Sequence, residues 1–226
     1  MNKINTQIVQ TLQSLRSFKK GTQGGHKLED VLAQQLEANL KKHKFKLINA
    51  KTFKDFYPEY KEHCSTDFDF SKVQLDSGIQ DDNLIIEQPL GSQNTPDILI
   101  IHNKVGLPIE CKTSSNDKIT WNSGYPRENY IYLFNKYNGI NAGTTYFLGQ
   151  DSILPSVRNE LLKQDQIHKQ QAKDFNKTLK ENYNTEWSLY PRPMFTSSTK
   201  YFNNSNIKNN REKNVEEYIL KYIWSI

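Results

Sequence analysis

Three ionisable residues sit close together in the stretch "PDILIIHNKVGLPIECK", residues 96–112: Asp97, Glu110 and Lys112. Each flanks an apolar run, Ile98–Ile101 or Val105–Ile109, of the kind that forms a buried strand. Burying a charge without a partner is costly, so these three need one another or a ligand. A turn at Asn103-Lys104 would fold the stretch into a hairpin with Asp97 opposite Glu110. Facing Cβ atoms in such a pair lie about 5 Å apart. Two carboxylates at that range repel, and one pKa rises unless a cation intervenes. A hard divalent cation resolves the conflict. Mg²⁺ takes oxygen ligands, often one or two carboxylates plus water, so the expected ligands are Asp97, Glu110 and the main-chain carbonyl of Cys111. Strand side chains alternate, which puts Lys112 on the face of Glu110 and turns Ile109, Cys111 and Thr113 to the other. Lys112 can then orient an attacking water or stabilise charge on an attacked phosphate. The alternative is an edge hairpin holding one ion pair, from Asp97 or Glu110 to Lys112.

Several elements must position this hairpin. A polar helix is expected within residues 1–24, then the breaker Gly21-Thr-Gln-Gly-Gly25. From His26 a helix follows, with Leu28, Val31, Leu32, Leu36 and Leu40 on one stripe, closing in the basic run Lys41-Lys-His-Lys44. Residues 45–82 give no clear pattern. Leu84–Gln88, 97–102, 107–113, Tyr130–Phe134 and Thr144–Gly149 read as strands. Ser156 is placed to cap a long polar helix reaching about Asn182, with Val157, Leu161, Gln164 and Ile167 leaning one way. Residues 184–210 read as loops with a short strand near Pro193–Ser197. A last helix, about 211–225, carries Val215, Tyr218, Ile219, Tyr222, Ile223 and Ile226 on one face.

Bulk properties narrow the classes. The 226 residues suit one domain, with 35% hydrophobic and 12% aromatic content. The net charge of +5 is compatible with a polyanionic partner. Two cysteines, Cys64 and Cys111, are too few for a disulfide framework or a zinc site. The five histidines show no paired zinc spacing, and no phosphate loop or nucleophile elbow occurs. No charged-then-apolar leader opens the sequence and no apolar run approaches 18 residues, so the expectation is a soluble, cytoplasmic protein without a membrane partner.

Pro96-Asp97, twelve residues, then Glu110-Cys111-Lys112 resembles the signature of the PD-(D/E)XK nuclease superfamily. The resemblance covers about residues 25–150. It implies an α/β sandwich with a central mixed sheet flanked by helices. It also implies a supporting glutamate on the first core helix, matched by Glu29 in "GGHKLEDVLAQQL". Length and the polar segment "TWNSGYPRENYIYLFN" make the chain similar to the orthodox Type II restriction endonucleases, in particular rare cutters of A·T-rich octamers. Such an enzyme hydrolyses double-stranded DNA at a palindrome as a homodimer. It requires Mg²⁺, accepts Mn²⁺, and binds without turnover in Ca²⁺. The whole chain, 1–226, is then one nuclease domain, with recognition and dimerisation elements near 120–130 and 184–226. Base-reading candidates are Trp121, Asn122, Tyr125, Arg127 and Asn129 in the first segment. In the second they are Tyr190, Arg192, Lys200, Asn203, Asn204 and Asn206. Asn suits adenine and Arg suits a narrow A·T minor groove. The stripe on the last helix serves either core packing or the dimer contact. Rival expectations are a structure-specific repair nuclease or junction resolvase, and a non-catalytic DNA-binding module.

Overall fold

The N-terminal helix α1 (Lys3–Ser14) is started by Asn2, whose side chain accepts from the Ile4 N–H at 3.0 Å. Its polar composition hides a stripe of Ile4, Ile8, Val9 and Leu12, all buried. The next helix, α2 (Leu28–Leu40), buries Leu28, Leu32, Leu36 and Leu40 as its periodicity predicts, with Glu29 and Asp30 in the favourable first turn. Lys44 turns the chain with φ 61° into β1 (Lys46–Asn49). The remaining elements are β2 (Leu84–Glu87), β3 (Ile98–His102), β4 (Val105–Ser114), β5 (Lys118–Trp121), β6 (Ile131–Lys136), β7 (Gly143–Leu148), α3 (Pro155–Tyr183), β8 (Phe195–Ser198) and α4 (Ser205–Tyr222). This computed structural model describes residues 2–19, 27–49, 83–91, 95–103, 105–122, 125–139, 141–191, 194–198, 204–222 and 224. Cys64, Arg192, Lys200, Asn203, Ile223 and Ile226 lie outside them.

The chain is an α/β protein with a mixed six-stranded sheet in the order β1-β2-β3-β4-β6-β7. The pairs β1/β2 and β4/β6 are parallel and the others antiparallel. One face carries Ile85, Ile98, Ile100, Leu107, Ile109, Ile131, Leu133, Tyr146 and Leu148. It packs on α1, α2 and α4 in one core. The other face carries Tyr132, Phe134 and Phe147, covered by a second sheet, β5 with β8, through Ile119, Trp121 and Phe195. The hairpin β3–β4 therefore lies in the middle of the sheet and not at its edge, while the ion pair from Glu110 to Lys112 that the edge-hairpin alternative expected is present.

Several expectations shift. β1 and β5 carry no clear pattern in the sequence, being four residues each. The long helix starts after Leu154 with Pro155 in its first turn and no side-chain cap, so Ser156 lies inside it. Its expected apolar face is not a core face: Val157 is 46% and Ile167 49% exposed, whereas Asp165 and Ala172 are buried. The last helix begins at Ser205, and the described part of its stripe is core packing. Val215 and Ile219 are fully buried against the α1–α2 core, with Tyr218 partly so. A polar network fastens α4 to the sheet. Arg16 Nε pairs with Glu212 at 2.9 Å, Thr145 donates to Glu212 at 2.7 Å, and Tyr146 donates to Glu216 at 2.5 Å.

Candidate active site

The pairing Ile98↔Ile109 sets the hairpin register, and one step further brings Asp97 beside Glu110. At that point β4 changes partners. Residues 105–109 pair with β3, and residues 109–114 pair in parallel with β6. Where β3 ends, the Asp97 carboxylate takes over its role: the Cys111 N–H donates to Asp97 Oδ2 at 2.8 Å. The Asp97 carbonyl accepts from the Gln88 N–H at 2.7 Å, which ties the same residue to the end of β2. In a strand, the N–H and C=O of one residue leave on the same side. The Cys111 carbonyl is thus directed to the Asp97 side, as a metal ligand there requires.

Glu110 is 4% exposed. Its Oε1 accepts from Lys112 Nζ at 2.8 Å, while its Oε2 has no hydrogen-bond partner among the described residues. Burial raises the Glu110 pKa against the pull of Lys112 and Arg127. Asp97 is pushed up to about 7 by burial, then by the Glu110 charge. Cys111 is half-buried against the helical face, and burial with the nearby Asp97 carboxylate pushes its thiol well above the ordinary range. In all three groups burial is the leading cause, and neighbouring carboxylates add to it at Asp97 and Cys111. Among the described residues no three His, Cys, Asp or Glu side chains stand together as a ligand set. A cation would rely on two carboxylates, one main-chain carbonyl and water, which suits Mg²⁺. The orphaned Glu110 Oε2 is the observation that favours such an ion.

Glu29, the expected supporting glutamate, stands in the first turn of α2. It lines a cavity of about 480 Å³ with Lys27, Asp30, Asn49, Glu87, Gln88, Asp97 and Ile98. Its charge helps raise both Asp97 and Cys111. Glu87, which sequence reasoning passed over, joins this cavity. Burial raises its pKa, followed by Asp30, Glu37 and Glu29. The signal was present, because "LIIE" closes an apolar run with a carboxylate just as "GLPIE" does.

The base-reading candidates divide. Trp121 is 4% exposed and its indole N–H donates to Ser197 at 2.9 Å, so it belongs to the core under the small sheet and is not presented to a groove. Asn122, exposed, accepts from Lys112 Nζ at 3.5 Å and so reaches the candidate site. Tyr125 stacks under the Arg158 guanidinium at 5.5 Å. Arg127 lies on Tyr130, its guanidinium 5.0 Å from the ring and donating to the hydroxyl at 2.8 Å. Asn129 is half-buried. Asn204 caps α4, its side chain accepting from the N–H groups of Asn206 and Ile207. Tyr190 is 83% exposed. Among the described residues no helix is long and apolar enough to cross a membrane. No family model, curated protein or solved structure matches the chain.

Proposed function

We propose that the chain is a Type II restriction endonuclease with the PD-(D/E)XK nuclease-like sandwich, hydrolysing phosphodiester bonds of double-stranded DNA at a palindromic, A·T-rich site in the presence of Mg²⁺. The observation that carries this reading is the meeting of Asp97, Glu110 and Lys112 on the central strands of a mixed sheet, with a buried carboxylate oxygen left over. Mg²⁺ held by Asp97, Glu110 and the Cys111 carbonyl would polarise the scissile phosphate and neutralise its charge. The chain does the rest. The Cys111 N–H fixes the Asp97 carboxylate. Glu110 holds Lys112 Nζ at 2.8 Å, a fixed donor for charge building on the phosphate oxygens. The net charge of +5 favours a polyanionic substrate. A homodimer would match the two-fold axis of a palindrome with one site per strand.

The test is incubation of long DNA with the protein and Mg²⁺. The expected result is discrete fragments with a common end sequence. Asp97→Ala, Glu110→Ala and Lys112→Ala should each abolish cutting while leaving Ca²⁺-supported DNA binding, and the complex should sediment with two chains per duplex. Cutting only at branched or distorted DNA would turn the assignment to a resolvase or repair nuclease. Retardation without any cutting would leave a binding module. Near-wild-type cleavage by the Asp97 or Glu110 variant would rule out this site.

A further inference from the structure

We propose that the outer part of α3, with the segment that returns along it, is the contact between two copies of this chain, paired about a two-fold axis over Leu179. The inference stands on this surface and not on the nuclease reading, although a two-fold dimer is what that reading asks for.

α3 is 29 residues long, yet it buries only Asp165 and Ala172. From Asp165 to Tyr183 it runs roughly 27 Å at 1.5 Å per residue. Asn184 then takes a left-handed turn, φ 44°, and the chain doubles back. The Asn176 side chain holds the returning segment by both backbone groups of Leu189. It accepts from the N–H at 2.6 Å and donates to the carbonyl at 2.9 Å. Trp187, Leu189 and Tyr190 are thereby kept beside the last turns of the helix. The chain rejoins the body as β8, paired with β5. Helix and return segment together make an arm.

Among the described residues, every large hydrophobic that stands exposed lies between Leu154 and Ile207. Five of them, Phe175, Tyr183, Trp187, Leu189 and Tyr190, are on the outer arm, between 50% and 84% exposed. An aromatic side chain brings about 150–250 Å², so the four aromatics alone present about 600 Å² per chain. That is at the upper end of what one apolar patch covers on a monomer. A standard interface takes about 800 Å² from each partner, about two thirds of it apolar in a homodimer. The outer arm can supply that apolar part by itself.

Charge decides between a second copy and DNA. Residues 174–190 carry Lys177 and Lys180 against Asp174, Glu181 and Glu186, one negative charge in excess on a chain of net charge +5. A surface that grips DNA sets cations among its aromatics. Here Phe175, Leu179 and Tyr183 follow one another at steps of four and share one face of the helix. At 3.6 residues per turn their flanking positions are Gln171, Thr178 and Asn182, all uncharged, while Lys173 and Lys177 turn to the far side. The stripe is also symmetric about its centre. An antiparallel pairing over Leu179 sets Phe175 against the partner's Tyr183 at both ends and Leu179 against its own copy, the self-complementarity that an isologous contact requires. Tyr190 is then a dimer residue rather than a base reader.

The experiment is sedimentation equilibrium of the full chain without DNA or metal, over a micromolar range, for wild-type, Phe175→Glu and the double variant Trp187→Ser/Tyr190→Ser. Wild-type should sediment at twice the chain mass. Each variant should keep the wild-type circular dichroism, because the replaced side chains are exposed, and should raise the dimer Kd by about 30-fold or more, the loss expected of interface aromatics. The double variant covers the case of a Phe175→Glu chain that fails to fold. Leu179→Cys, oxidised with copper phenanthroline, should give a covalent dimer that the wild-type chain does not. A monomeric wild-type protein overturns the inference, as does a dimer that both variants leave intact, or a Leu179→Cys chain that does not cross-link. Variants that stay dimeric but lose DNA retention in Ca²⁺ overturn it in favour of an arm that grips DNA. Cleavage enters none of these readings, so a dimer that cuts no DNA would end the nuclease reading and leave this one standing.

Discussion

Replacing Lys112 with Met should destabilise the metal-free protein by an amount that depends on pH in a defined way. The Lys112 and Glu110 side chains are 13% and 5% exposed, so solvent screens their pair little. Breaking a buried pair from one side costs about 3–5 kcal/mol. Glu110 has an escape, which is to take up a proton. From its ordinary pKa of 4.5, staying protonated at pH 7 costs about 1.36 kcal/mol per unit, or about 3.4 kcal/mol. That ceiling is the lower of the two bounds for most of the range, and the Arg127 charge and the retained Met stem trim it to about 2–3 kcal/mol. The sign follows from linkage. A carboxyl whose folded pKa is raised holds a proton that the unfolded chain has released, so folded stability is lost as pH rises from 4.5 through the folded value. At pH 5 the ceiling shrinks to about 0.7 kcal/mol. Urea unfolding in EDTA, followed by tryptophan fluorescence at pH 5, 6, 7 and 8, measures the difference from wild-type. The double variant Lys112→Met/Glu110→Gln should recover most of the pH 7 loss. A deficit equal at pH 5 and pH 8, or a double variant no better than Lys112→Met alone, would refute the buried-pair account.

Two further outcomes are expected. Gly149→Ala should lower stability by about 3 kcal/mol, since the new Cβ meets the Arg127 carbonyl and breaks two loop-to-strand hydrogen bonds; a urea midpoint within about 0.5 kcal/mol of wild-type would show that the 126–130 loop is not seated on this glycine. Because Asp97 is raised to about 7 and must be ionised to bind a metal, Mg²⁺ affinity should climb about tenfold per pH unit below 7 and level above it, with proton release detectable by calorimetry in two buffers. A flat profile between pH 5.5 and 6.5 would exclude Asp97 as a ligand.

The hairpin was legible because its information is local. Two apolar runs, a two-residue turn and period-two alternation fix which residues face each other, and Ile98↔Ile109 follows. The α2 stripe was legible for the same reason. Strand order was not, because the parallel partner of Glu110 is Tyr132, on a strand reached only after β5 and a polar loop. Trp121 shows the difficulty most clearly. In sequence it is an aromatic in a polar segment, as a DNA-reading loop would have. Its partner Phe195 lies beyond the whole of α3, and no local pattern announces a second sheet above the first. The same holds for Arg127, whose anchors Tyr130 and Tyr132 look like ordinary strand aromatics. In α1, Asn5 and Thr11 disguise a buried helix. They are affordable inside because Asn5 donates to the Ile219 carbonyl at 2.8 Å and Thr11 to the Gln7 carbonyl at 2.8 Å.

The change of partner along β4 has a consequence for motion. β4 is laced to β3 through its first half and to β6 through its second, with the Asp97 carboxylate standing in for a rung where the lacing crosses over. Opening free energies are greatest where a segment is bonded on both sides and buried on both faces. Ile109, fully buried and paired with both neighbouring strands, meets that condition, so its amide should be among the last to exchange with solvent. Glu110 stands one residue beyond that point, so under the proposed function its carboxylate has little room to shift toward a phosphate. Accommodation has to come from what surrounds it: the small sheet above, the segments flanking α3, and the shape of the duplex itself.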